Sequence, residues 1–369
     1  MVDQNDINIF KPYLSLKKTY KGGITKDELS KSGNKIYKLS SNENILGSSP
    51  KAIEAIRQNL DILHEYPDRT DAKLREALST FYNDELSPEH FIAAGSGSEV
   101  LDITIRGFMD DGLECIVSNP FFLPYQMFSK WQNAVVIDVP MQKSDWSLDV
   151  PGILDRITDK TRLLFLTSPN NPTGTYIPKA TLDAIIHHVP AHVIVVLDEV
   201  YYHFADAPDY STAVEYVKEG YQVIALNSFS KAFGLASLRI GYAYTTPKIS
   251  VYLRQLAKPF LINRLSLEAG IAALGDTAFL TKTRETIIEE RNWLYTQLDE
   301  IGIHYWKSQA NFILIKCPID EQVFVDSMLT DGIMVRPAAN FGAPGCIRVT
   351  IGDREANVAY INTLKKLSA

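Results

Sequence analysis

The sequence predicts an α/β fold: a large domain with a mostly parallel sheet covered by helices on both faces, plus a smaller α+β domain. Three observations predict it. Short apolar runs recur between residues 114 and 226, each closed by a turn or a polar cluster. Helical segments lie between several of these runs. After about residue 260 the pattern changes to one long amphipathic helix followed by short strands. Continuous apolar strands are what a parallel sheet needs when helices cover both of its faces.

Taken in order, residues 1–40 are polar and turn-rich and read as an amino-terminal arm. The large domain is expected over 41–260. Its first helices are predicted at Lys51–Leu60 and Asp71–Tyr82; in the second, Leu74, Leu78, Phe81 and Tyr82 share a face. The runs at Glu114–Val117, Val135–Ile137, Leu163–Leu166, Val193–Leu197 and Val223–Leu226 read as buried strands. A helix is predicted over Val100–Met109. The small domain, 261–369, is expected to hold a helix over Phe279–Ile301 and strands near Phe312–Ile315 and Ile347–Ile351. No Pro/Gly linker divides the two, so their interface is expected to be intimate.

Composition narrows the function. With 369 residues the chain suits two domains of unequal size. Its 46% hydrophobic and 22% charged residues are ordinary for a globular protein. A net charge of −7 argues against a nucleic-acid surface, which needs a basic face. Cys115, Cys317 and Cys346 stand alone, signalling neither a zinc site nor a disulfide framework. Val193–Leu197, the longest purely apolar stretch, is too short to span a bilayer. Asp3 and Asp6 stand where a signal peptide would be basic and then apolar. The expectation is a cytoplasmic protein with no metal, membrane or nucleic-acid partner.

Polar clusters at strand carboxyl ends are where open α/β sheets bind ligands. Gly95-Ser96-Gly97-Ser98-Glu99 opens a helix and can offer backbone N–H groups to an anion. It lacks the third glycine of a dinucleotide fingerprint, since Val100 stands there. Ser168–Gly174 is a turn holding Asn170 and Asn171 between prolines. Asp198 closes a buried strand, which is costly for a carboxylate without a partner; a salt bridge or a cationic ring nitrogen would satisfy it. Ser228-Phe229-Ser230-Lys231 follows another strand, with Arg239 eight residues on. Desolvation of such a lysine lowers its pKa and makes it nucleophilic.

Together, and in this order, these clusters resemble the fold-type I aminotransferases of pyridoxal phosphate, and within them the histidinol-phosphate aminotransferase family. The resemblance extends over nearly the whole chain, from Pro12-Tyr13 and Leu39–Asn44 through His64–Pro67 to Gly332–Arg336 and Ile347–Thr350. It implies pyridoxal 5'-phosphate as cofactor and a homodimer with shared active sites. Lys231 matches the lysine that carries the cofactor as a Schiff base, and Asp198 the partner of the ring nitrogen. Asn171 and Tyr201 match the pair that binds the ring's 3' oxygen, and Phe122 an aromatic stacked on the ring. The cofactor phosphate falls to the N–H groups of Ser98 and Glu99, the hydroxyls of Ser228 and Ser230, Arg239, and Tyr66 from the other subunit.

On the substrate side, Arg348 matches the arginine that grips the α-carboxylate. Arg336 and Tyr13 match positions that can hold a substrate phosphate, and Asn42 lies in the same segment. The implied reaction exchanges an amino group between L-histidinol phosphate and 2-oxoglutarate. An aromatic amino acid aminotransferase and a decarboxylase of a phosphorylated amino acid are the alternatives. Ile45, Phe121, Phe122, Pro124, Tyr202 and His203 depart from the family's usual residues, and most line or flank the pocket.

Overall fold

The computed structural model describes residues 35–368. Its strands are numbered in chain order: β1 Tyr37–Lys38, β2 Phe91–Ala94, β3 Glu114–Val117, β4 Val135–Asp138, β5 Thr161–Thr167, β6 Ile194–Asp198, β7 Val223–Ser228, β8 Gly241–Tyr244, β9 Phe312–Lys316, β10 Ile333–Met334, β11 Arg336–Pro337 and β12 Cys346–Thr350. A seven-stranded sheet runs β2-β8-β7-β6-β5-β3-β4. Only β8 opposes its neighbours; β7, β6, β5, β3 and β4 pair in parallel.

Side chains alternate between the two faces of a strand, and this sheet is apolar on both. Along β6, Val195 and Leu197 join one core while Ile194 and Val196 join another. In β7, Val223 and Ala225 separate from Ile224 and Leu226 in the same way. Leu74 and Leu78 of the helix Ala72–Phe81 cover the first face. Val100, Leu101, Ile103 and Ile105 of the helix Gly97–Phe108 cover the second. The expected α/β architecture is therefore present.

A three-stranded antiparallel sheet, β11-β12-β9, forms the smaller unit with the helices Thr277–Glu300, Glu321–Thr330 and Arg354–Ser368. Its core includes Phe312, Ile313, Phe324, Ile347, Tyr360 and Leu364. Two segments cross the boundaries expected from sequence. β1 pairs in parallel with β10, and Leu39 enters the small core, so residues just before 41 are part of the folded body. The helix Arg264–Leu274, which follows residue 260, buries Leu267, Ala269 and Ala273 in the large core.

Strands β2 and β8 are absent from the sequence reading. Ala93, Ala94, Gly241 and Ala243 give them no β-branched run, and only pairing to their neighbours makes them strands. No described helix is long and apolar enough to cross a membrane.

Candidate active site

The parallel strands deliver their carboxyl ends to one edge of the sheet, and a cavity of about 360 Å³ opens there. Its walls come from both domains. The large domain contributes Ser98, Phe122, Asn171, Asp198, Tyr201 and Lys231. The β7–β8 connection adds Ser228, Ser230 and Arg239, and the small domain adds Arg336, Phe341 and Arg348. Segment 40–43 closes one side, with Asn42 among its lining residues.

Lys231 projects from the turn after β7, and its amine donates to the carbonyl of Ser41 at 3.0 Å. Withdrawal from water lowers its pKa most, and the charge of Arg348 lowers it further, against a smaller upward pull from Glu43. The amine ends at about 7, so a large fraction is neutral and nucleophilic at neutral pH.

Asp198 closes β6 in a buried position. Tyr125 Oη donates to Oδ2 at 2.6 Å, and the N–H of Val200 donates to Oδ1 at 3.1 Å. Burial raises the carboxyl's pKa, and these two hydrogen bonds act against that rise. A cationic partner in the cavity would hold it ionised.

The anion cradle differs in detail from the expectation. The helix begins at Gly97, not Val100, because Ser96 caps it: Ser96 Oγ accepts from the N–H of Glu99 at 3.0 Å. Glu99 Oε2 in turn accepts from the N–H of Gly95 at 2.8 Å. This reciprocal cap commits the Glu99 amide, and Glu99 does not line the cavity. Gly97 and Ser98, the first residues of the helix, line the cavity instead.

Gly97 has a packing reason as well. An added Cβ would stand 3.3 Å from the carbonyl of Asn227, and one on Gly241 would stand 2.2 Å from Gly97 N. The two glycines let β8 pass directly against the helix start. Arg239 takes a left-handed backbone (φ 52°) and donates to the carbonyl of Ala236 at 2.9 Å, with Ser230 Oγ at 3.5 Å. The Ser230 amide is held by Ser228 Oγ at 3.1 Å.

Arg348 is buried; it donates to Asn171 Oδ1 at 2.6 Å and to the carbonyl of Ser40 at 2.7 Å. Arg336 lies opposite it in the β11–β12 register. Like charges directly opposite on a sheet repel, and both side chains line the cavity. A bound anion would relieve that repulsion. Asn42, also left-handed (φ 55°), donates to Tyr201 Oη at 3.0 Å, and its carboxamide oxygen accepts from Thr350. It orients Tyr201 and ties the segment to β12.

Two further expectations concern Tyr66 and Tyr13. Tyr66 is 79% exposed, packs its ring on Phe260 at 4.8 Å, and does not line this cavity. Tyr13 lies outside the described residues. Sequence reasoning named the Gly95–Glu99 loop without singling out Gly97, and it missed Tyr125 and Phe341. The Gly-Ser-Gly-Ser loop was a usable signal for Gly97; Tyr125 and Phe341 carried none that set them apart from core aromatics.

The donor set fits pyridoxal phosphate on this structure's own terms. A buried carboxyl suits a ring nitrogen, a half-neutral lysine suits a carbonyl carbon, and a helix start pressed close by Gly241 beside Ser228, Ser230 and Arg239 suits a phosphate.

Comparison with known proteins gives the family. The family model for aminotransferase class I and II matches residues 34–363. A histidinol-phosphate aminotransferase of Akkermansia muciniphila is 37% identical over 343 residues, covering 93% of this chain and 93% of that protein. One of Moorella thermoacetica is 36% identical over 335 residues, covering 90% of this chain and 86% of that protein. The fold matches the crystal structure of histidinol-phosphate aminotransferase from Sinorhizobium meliloti in complex with pyridoxal-5'-phosphate, with a TM-score of 0.88, 24% identity and 99% of each chain covered.

Proposed function

The chain belongs to the class I and II aminotransferases, and within them to the histidinol-phosphate aminotransferase family, and from that premise we propose its reaction and site roles. On pyridoxal 5'-phosphate it exchanges an amino group between L-histidinol phosphate and 2-oxoglutarate, giving imidazole acetol phosphate and L-glutamate. One observation carries this reading: Lys231, its amine brought to about 7, opens into the same cavity as Asp198 and the Arg336–Arg348 pair.

Pyridoxal phosphate, when bound, would supply a carbonyl carbon for the amine and a protonated ring as electron sink. Asp198 holds the proton on the ring nitrogen. Asn171 and Tyr201 would hold the ring oxygen, and Phe122 would cover the ring. Gly97, Ser98, Ser228, Ser230 and Arg239 hold the phosphate. The Lys231 amine would serve as the base that takes up and returns the proton moved at the substrate's Cα.

Arg348 and Arg336 hold the substrate's anionic end. L-Glutamate presents a carboxylate there, whereas L-histidinol phosphate has a phosphate ester in its place. Two guanidinium groups side by side serve both, since each can pair with carboxylate or phosphate oxygens. Tyr13 adds to the phosphate grip. Tyr66, exposed and away from its own cavity, reaches the cofactor phosphate of a second subunit, so the working unit is a homodimer.

The test is a panel of amino donors in the single-turnover half-reaction of the loaded enzyme, followed by cofactor absorbance. Highest kcat/KM for histidinol phosphate, with a keto product, supports the reading. Much higher kcat/KM for phenylalanine or tyrosine, or carbon dioxide release without a keto acid, overturns it.

A further inference from the structure

We propose that Tyr125 is a positioning residue for Asp198, fixing the carboxylate that faces the ring nitrogen. The inference rests on the cofactor reading above. Contacts to Phe165, Phe122, Thr167 and Asp198 hold Tyr125 in place. Its ring stacks on Phe165 at 5.0 Å and 5°, its edge meets Phe122 at 5.7 Å, and its hydroxyl touches both Thr167 Oγ1 at 3.0 Å and Asp198 Oδ2 at 2.6 Å. A phenol has one proton to give. Since a carboxylate can only accept, that proton goes to Asp198, and the Thr167 hydroxyl must then donate to Tyr125. The chain runs Thr167 to Tyr125 to Asp198.

This chain does two things. With the N–H of Val200 on the other oxygen, it fixes the carboxylate's torsion, leaving further lone pairs for the cavity. It also favours the ionised form, because a hydrogen bond to a charged group stabilises the charge. Burial of Asp198 works in the opposite direction, so the hydroxyl offsets part of the desolvation. The charged and titratable groups around Asp198 are Tyr125, Glu199, Tyr201 and Tyr210, with Lys231, Arg239 and Arg348 lining the same cavity. Among them, Tyr125 is the side chain donating a hydrogen bond to the carboxylate at 2.6 Å.

Tyr125→Phe keeps the ring and removes only the hydroxyl. In the cofactor-free full chain with ¹³C-labelled aspartate carboxyl groups, the Asp198 resonance is assigned by its loss in Asp198→Asn. Its titration midpoint is expected to rise by about one pH unit or more in Tyr125→Phe. Thr167→Val should move it less, in the same direction. In the loaded enzyme the acid limb of kcat/KM should rise with it, and kcat should fall more than KM changes.

An unmoved Asp198 midpoint in Tyr125→Phe overturns the proposal. If that variant does not fold, an unmoved midpoint in Thr167→Val overturns it. A wild-type protein that develops no visible band with pyridoxal phosphate instead sinks the cofactor reading, while the titration still judges the Tyr125–Asp198 pair.

Discussion

Arg336 and Arg348 stand directly opposite each other across β11 and β12, and both guanidinium groups lie over the ring of Phe341, 5.3 and 5.5 Å from its centroid. Two cations close to one aromatic ring are each attracted by it and repelled by one another. The arrangement is suited to an anion bound between them. It also separates their tasks, since Arg348 is tied to Asn171 and Ser40 while Arg336 sits in the more exposed strand β11.

Arg336→Gln should therefore discriminate between substrates. Loss of a charge-assisted bond to phosphate should lower kcat/KM for histidinol phosphate by about 10- to 100-fold. Glutamate, whose carboxylate is assigned to Arg348 in the proposed reaction, should lose less. Steady-state kinetics with both donors measure the split; equal losses would count against a phosphate role for Arg336.

Lys231→Met should abolish the visible cofactor band and the half-reaction. The same variant has a second signature in the cofactor-free protein. The folded pKa lies near 7 and the ordinary value is 10.5. Between those limits the unfolded chain holds a proton that the folded chain lacks, so stability rises with pH. Wild-type Tm between pH 7 and 9 should climb relative to Lys231→Met, which has no such group. Parallel Tm profiles would argue against the lowered pKa.

Subunit mixing tests Tyr66. A Tyr66→Phe homodimer should bind pyridoxal phosphate more weakly, and a Lys231→Ala homodimer should be inactive. In a mixed dimer, the site that keeps Lys231 faces the intact Tyr66 of its neighbour. Activity per remaining lysine should exceed that of the Tyr66→Phe homodimer, and no gain on mixing would place Tyr66 outside the shared site.

Gly241→Ala tests the close approach beneath the phosphate cradle. Its new Cβ would meet Gly97 N at 2.2 Å, a backbone atom that cannot swing aside. Overpacking of this kind costs about 1–3 kcal/mol, to be read by urea denaturation. Affinity for pyridoxal phosphate should fall as well, because the helix start must shift. Wild-type stability and affinity together would show that the contact yields without cost.

Much of this molecule is written locally. Apolar runs long enough to be strands, each ending in a polar cluster, are features of neighbouring residues, so β3 to β7 and their strand-end groups Asp198, Asn171, Ser228 and Lys231 were legible. The capped helix start was legible too, though its first residue was misplaced. Ser96 and Glu99 satisfy orphan amides among themselves, and only the bonding pattern reveals which N–H groups remain for a ligand.

What tertiary structure alone decided are the meetings between distant segments. Arg348 reaches Asn171 across 177 positions, and Tyr125 reaches Asp198 across 73. Strands β2 and β8 exist because neighbours pair with them, and Leu39 joins a core built by residues near the other end of the chain. The physical reason is one of range. Hydrophobic periodicity and caps act within a turn or a strand, whereas strand order and domain docking determine which ends share a cavity.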